Sequence, residues 1–215
     1  MSFTSEHWLR RHYERSDISD HLVHLTRPKS RKVADCPIEV LYEIVTDLEI
    51  KPSTTNSGFI VGGRGAVCFQ NTSLSSIAQA VYSELLQFER TLQESGTPKI
   101  RYFGAGLSFD KKYMFDQGAR PVIYEETSCA KAFLDKNEWW RIVKLDLSDA
   151  DNLIDWTHER EWRVPDSFKF SLDKTTLIFE TSEQFNTFRE LASKNGNNHI
   201  LSEIAGIVVL DKGVF

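Results

Sequence analysis

Eight consecutive residues, Trp156-Thr157-His158-Glu159-Arg160-Glu161-Trp162-Arg163, hold two tryptophans, two glutamates, two arginines and a histidine. Read as a strand, the alternation of side chains puts Glu159, Glu161 and Arg163 on one face and Arg160 and Trp162 on the other. Two carboxylates on one face repel each other. The arrangement is costly unless a cation, a substrate hydroxyl or a centre that becomes positive during a reaction uses the charge. The plainer alternative is an edge strand whose Glu and Arg side chains pair with neighbours. A metal site built from His158, Glu159 and Glu161 is disfavoured, because adjacent strand residues point to opposite faces; no metal is expected.

A second polar residue stands where an apolar one is the rule. Leu22-Val23-His24-Leu25-Thr26 reads as a buried strand stopped by Arg27-Pro28, with His24 inside it. Taken alone, His24 is a core histidine with its ring satisfied by hydrogen bonds. Taken with the distant Glu161, it becomes a candidate for one wall of a site, and the two side chains are expected to face one cleft.

The chain that must position these residues has 215 of them, 40% hydrophobic and 27% charged, with a net charge of −5. This is ample for a packed core and ordinary for a globular protein. The mild acidity gives no general steering toward nucleic acid, though a local basic patch is compatible with it. Cys36, Cys68 and Cys129 are odd in number and contain no Cys-x-x-Cys pair, which argues for reduced thiols in a cytoplasmic protein. The polar stretch Met1 to Asp17 is unlike a signal peptide, and no run approaches the roughly 20 apolar residues of a membrane span.

Residues 4–15 predict a short helix capped at Thr4 or Ser5, an N-terminal extension over 1–18 before a single domain over 19–215. Asp35 and Pro37 open a second helix with an apolar stripe at Ile38, Leu41, Ile44, Val45 and Leu48. Gly62-Gly63-Arg64-Gly65, between Phe59 to Val61 and Ala66 to Phe69, has the flexibility to cradle a phosphate. It matches no nucleotide-binding pattern and reads first as a hairpin turn. A long helix over about 75–95 carries Ile77, Val81, Leu85, Phe88 and Leu92 and is stopped by Gly96 and Pro98. Strands are expected at Ile100 to Phe103, Leu107 to Phe109 and Pro121 to Tyr124, with Asp110 capping a short helix through Tyr113. Ser128 to Leu134 reads as helix, and Asp149 to Trp156 as one or two helical turns. The segment Trp140 to Leu145 fits strand or helix. A strand at Leu177 to Phe179, a helix opened by Thr181 and Gln184 and ended by Gly196, and a buried strand at Ile207 to Leu210 complete an α+β pattern.

In order and spacing, these motifs resemble the ADP-ribosyltransferases of the His-Tyr-Glu type, among them the DarT toxins and the AbiGi-type abortive-phage-resistance proteins. Leu22 to Thr26 is similar to their first-strand signature, with Leu25 where a glycine is frequent. Ala66-Val67-Cys68-Phe69-Gln70 follows in its place. Tyr102-Phe103-Gly104-Ala105-Gly106-Leu107-Ser108-Phe109, with Lys112 and Tyr113 after it, resembles the Gly-x-Gly segment that carries the tyrosine. Arg160-Glu161-Trp162-Arg163 falls where the family has its catalytic glutamate. Glu159-x-Glu161 also looks like the Glu-x-Glu of the Arg-Ser-Glu branch, although the first strand here has His and not Arg.

The resemblance implies an ADP-ribosyltransferase-like split antiparallel β-sheet core with inserted helices. It implies NAD as substrate, a nucleic-acid or protein acceptor, a role as toxin or phage-defence effector, and an antitoxin as partner. Catalytic roles would fall to Glu161 and His24, NAD binding to His24, Leu25, Thr26, Ser108, Phe109 and Tyr113, and acceptor positioning to Glu159; Arg64 joins the catalytic set as the nearest mobile cation for the pyrophosphate or the target. Nicotinamide leaves NAD through an oxocarbenium-like state, which a carboxylate beside the ribose stabilises. The competing expectation is a non-catalytic module of the same fold, used for binding or as an antitoxin.

Overall fold

The computed structural model describes residues 4–27, 37–58, 60–93 and 102–212. The expected cap at Asp35, the stop at Gly96 and Pro98, the first half of the strand expected at Ile100 to Phe103, and Cys36 lie outside the described residues; the other half, Tyr102 and Phe103, is not in a strand, and the extended run begins only at Gly106. In chain order the first elements are α1 (Ser5–Tyr13), β1 (His21–Leu25), α2 (Pro37–Asp47), β2 (Glu49–Ile50), β3 (Ala66–Gln70) and α3 (Leu74–Gln93). Next come β4 (Gly106–Asp110), α4 (Lys111–Asp116), β5 (Arg120–Pro121), β6 (Ile123–Glu125), α5 (Thr127–Phe133) and β7 (Ile142–Lys144). The chain continues through β8 (Glu161–Pro165), β9 (Phe168–Lys169), β10 (Thr175–Phe179), α6 (Ser182–Lys194), α7 (His199–Glu203) and β11 (Gly206–Val209). The protein is α+β, and its central sheet is mostly antiparallel.

The chain divides into two compact units. The first comprises Met1–Leu22, Glu49–Thr72 and Asp110–Lys169. Its strands run β3-β8-β5, both ladders antiparallel, with Cys68 opposite Arg163, Phe69 opposite Trp162 and Gln70 opposite Glu161. Because partners across a ladder point the same way, Cys68, Gln70, Glu161 and Arg163 share one face. The other face carries Phe69, whose ring meets Phe168 edge-on at 5.7 Å; Tyr113 approaches the same Phe168 at 6.5 Å. Beneath the first face lies a small core of Ile60, Ala66 and Trp140, packed against Cys68. A parallel pair, β6 with β7, completes this unit together with the short β2–β9 ladder.

The second unit comprises Val23–Leu48, Ser73–Phe109 and Phe170–Phe215. Its strands run β11-β10-β4 with the Val23–Leu25 part of β1 beside β4; β10 pairs antiparallel with β4 and parallel with β11. Val23, Ile77, Ala78, Val81, Ile178 and Leu210 form its core, which explains why α3 is amphipathic at its N-terminal half. Leu85, expected to continue that stripe, is 37% exposed. The α2 stripe is buried at Ile38, Leu41 and Val45, while Leu48 lies past the helix end in a left-handed conformation. Thr181 caps α6 by accepting from the Gln184 amide; the Gln184 side chain turns back to the Glu180 amide, one residue earlier than in a standard capping box.

Several local expectations fail for identifiable reasons. Arg160 has φ 45°, so the extended run begins only at Glu161, and Thr157–Glu159 is a 3-10 turn. Glu159 therefore owes its position to that turn and not to strand alternation. Asp149 to Trp156 is not helical: Asp146 and Ile154 form an isolated bridge around a tight turn. The hairpin expected around Arg64 is absent, because Ala66 pairs with Ser53 and not with Val61. The strand at Pro121 to Tyr124 is split into β5 and β6, which pair with different partners. Trp140 to Leu145 resolves into the end of a 3-10 helix followed by β7. The last strand is only partly buried, with Ile207 39% exposed.

Candidate functional site

In the first unit the strand β8 opens with Glu161, and its carboxylate meets a buried cation two residues on. Arg163 Nε donates to Glu161 Oε1 at 2.8 Å and Nη2 to Oε2 at 3.4 Å. The side chains are 3% and 14% exposed, so the pair lies in a medium where Coulomb attraction is strong and unpaired charge is costly. Arg163 is fixed in turn by the backbone: Nη1 donates to the carbonyls of Trp140 at 2.6 Å and Ile142 at 3.3 Å. Those carbonyls lie where the 3-10 helix Lys136–Arg141 passes into β7, so that junction sets the guanidinium plane.

Two further groups close around the carboxylates. The Glu161 amide donates to the Tyr124 hydroxyl at 2.8 Å. Burial, with Glu161 and Glu159 nearby, pushes the Tyr124 phenol up to about 12, so it remains protonated and able to donate. Gln70 donates from Nε2 to Glu159 Oε2, and His158 Nε2 stands 3.6 Å from Glu159 Oε1. Cys68, opposite Arg163, has its thiol pushed far up by burial, with Glu161 adding to the effect, which keeps the thiolate scarce, and it packs against Ile60, Ala66 and Trp140. Glu159, Glu161, Gln70 and Tyr124 thus form a compact acidic constellation with one buried cation behind it. Behind the neighbouring turn, Arg160 reaches the Asp17 carbonyl, while Lys111 lies 5.5 Å from the Trp162 ring and donates to Asn71 Oδ1 at 2.8 Å.

Arg64 is exposed and bound in a fork by Asp166, with Nη2 donating to Oδ2 at 2.7 Å. That hydrogen bond raises the guanidinium above its ordinary value. An exposed pair of this kind is worth about 0–1 kcal/mol, so a phosphate could displace Asp166 at little cost. Tyr113 is half-buried; its amide donates to the Asp110 cap at 2.7 Å and its ring packs on Phe168.

The remaining expected site residues lie in the second unit. His24 is half-buried on β1, and a Cβ on Gly106 would stand 2.2 Å from the His24 carbonyl oxygen. Gly106 is therefore demanded by the close approach of two backbones. A Cβ on Gly104 would meet Glu180 Cβ at 2.4 Å, and the Gly104 amide donates to the Glu180 carboxylate. Between them Ala105 accepts from both the amide (2.8 Å) and the hydroxyl (3.0 Å) of Thr26, which is buried. Ser108 is buried opposite Thr176. Leu25 packs against the core, and Phe109 is fully buried with its ring 5.3 Å from Phe170.

Three contributors escaped sequence reasoning: Tyr124, Gln70 as the partner of Glu159, and the clamp from the Trp140 and Ile142 carbonyls. Only the shared face of Glu161 and Arg163 was legible as alternation. Among the described residues no three His, Cys, Asp or Glu side chains are grouped to hold a metal ion, and no helix is long and apolar enough to cross a membrane. Comparison of the chain with protein-family models, with curated proteins and with solved structures finds no match.

Proposed function

We propose that this chain is an NAD-dependent ADP-ribosyltransferase of the toxin or phage-defence kind, built on an ADP-ribosyltransferase-like fold. The observation that carries the reading is the Glu161 carboxylate, fixed at the head of β8 with Glu159, Gln70 and the Tyr124 hydroxyl around it. In the reaction the bond from the ribose C1′ to the nicotinamide nitrogen breaks, and its electron pair leaves with nicotinamide. The ribose becomes oxocarbenium-like, and the acceptor nucleophile bonds to C1′ and gives up a proton. A carboxylate already oriented beside the sugar stabilises a charge that exists only in the transition state. Glu161 has that role here, and Glu159 positions the acceptor. In the first unit Tyr113 stands against the nicotinamide, and Arg64 exchanges Asp166 for a phosphate; the dinucleotide-binding role of His24, Thr26 and Ser108 rests on the family resemblance alone. The acceptor is a nucleic-acid base or a protein side chain.

A second reading is favoured by one feature. Arg163 engages both Glu161 oxygens, as a purely structural ion pair would, and a non-catalytic binding or antitoxin module of the same fold would keep that pair. Incubation of the protein with NAD labelled in the ADP-ribose moiety, cell extract and purified DNA, RNA or protein separates the two. Label transfer, or release of free ADP-ribose that Glu161→Gln abolishes, supports the enzyme. Intact NAD at high protein concentration rejects it in favour of the module.

A further inference from the structure

We infer that Arg163 is the positioning residue of the Glu161 carboxylate, an inference that rests on the transferase reading of Glu161. A glutamate at the first position of a strand has three side-chain torsions and little neighbouring backbone to restrain it. Left alone, its charge would sample several orientations, and the loss of that freedom would fall on the step that needs it. Arg163 removes that freedom in advance. Strand alternation brings the guanidinium to the same face, and its Nε and Nη2 meet the two carboxylate oxygens from one side at 2.8 and 3.4 Å. The other end of the guanidinium is tied to the carbonyls of Trp140 and Ile142, which are backbone and so not mobile on the scale of a rotamer. At 3% exposure the side chain has no space for a second arrangement. The Glu161 side chain keeps 14% exposure, and a ribose hydroxyl would approach its carboxylate from the side away from Arg163.

A lysine at this position would match the charge but not the geometry, since an ammonium has no rigid fork with which to hold two oxygens and two carbonyls at once. This difference separates positioning from charge compensation. The same buried contact in a bystander pair would affect stability and leave turnover per folded molecule alone.

The test compares wild type, Glu161→Gln, Arg163→Lys and the double variant Glu161→Gln/Arg163→Lys. NAD turnover and KM are measured well below each melting temperature. Arg163→Lys is expected to lower kcat about ten- to a hundredfold with KM for NAD changed less than about threefold, as for a reactive group displaced by a fraction of an ångström. The double variant is expected to turn over no more slowly than Glu161→Gln alone, because the only function of Arg163 passes through the missing carboxylate. If Arg163→Lys does not fold, Arg163→Gln, which retains one planar donor, replaces it with the same expectation. Wild-type kcat in the folded Arg163 variant, or losses that multiply in the double variant, overturn the positioning role while leaving the transferase reading intact. Absence of NAD turnover in wild type overturns both.

Discussion

Replacing Glu161 by Gln changes one oxygen for an amide and removes one charge, and the structure makes both stability and turnover respond. Arg163 is 3% exposed and would lose the carboxylate that faces it at 2.8 Å. Breaking a buried pair by removing one partner costs about 3–5 kcal/mol. Here the loss is reduced, because Gln retains an acceptor oxygen and the Trp140 and Ile142 carbonyls still receive Nη1. We therefore expect about 2–3 kcal/mol, which for a chain of this length lowers Tm by roughly 5–10 °C. Turnover measured on the folded variant should fall by about two to four orders of magnitude, roughly 3–5 kcal/mol of transition-state stabilisation, while NAD affinity changes little. Circular-dichroism melting gives the first number and NAD turnover at about 20 °C below the lower Tm gives the second. The double variant Glu161→Gln/Arg163→Met removes the stranded charge and should recover part of the lost stability, but none of the activity. A variant that melts with wild type and consumes NAD at the wild-type rate would refute both the burial argument and the catalytic role.

Three other variants probe the packing of the two units, each by itself. Gly106→Ala would put a methyl 2.2 Å from the His24 carbonyl oxygen, and should cost about 3 kcal/mol or prevent folding, read as a lower urea midpoint or insoluble protein. In a Cys36→Ser/Cys129→Ser background, Cys68 should resist a disulfide reagent at about pH 8 until denaturant is added, because burial raises its thiol and keeps the thiolate scarce. Rapid native labelling would show that its face is open. Glu180 is raised from its ordinary value, first by burial, despite the Gln184 and Gly104 hydrogen bonds. A carboxyl raised in the folded state stabilises below its unfolded value and loses that contribution as pH rises through the folded one. Glu180→Gln should therefore melt higher than wild type at about pH 7, with the gap closing as the pH falls toward 4. A gap independent of pH would assign the effect to packing.

Much of the framework was legible because its causes are local. Thr4, Asp110 and Thr181 accept from helix amides as their side-chain types require, and the stripes of α2 and of the first half of α3 face cores as their periodicity requires. The shared face of Glu161 and Arg163 followed from alternation alone. What tertiary structure decided is everything that depends on contacts far along the chain. Arg160 adopts a left-handed turn while its carbonyl receives the Asn71 amide and its guanidinium reaches the Asp17 carbonyl; no property of the local sequence Glu-Arg-Glu announces that. That turn, with Gln70 from another strand, sets where Glu159 points. Tyr124 reaches the Glu161 amide from β6, and nothing in its local sequence Ile-Tyr-Glu points to that partner. Nothing in Gly-Gly-Arg-Gly announces a partner for Arg64, yet Asp166, 102 residues on with φ 63°, holds it. Residue type and spacing decide which groups are able to do chemistry, because valence and periodicity are local. Which of them are buried, paired and aimed depends on non-local packing, because desolvation and partner geometry arise only once separate strands are brought side by side.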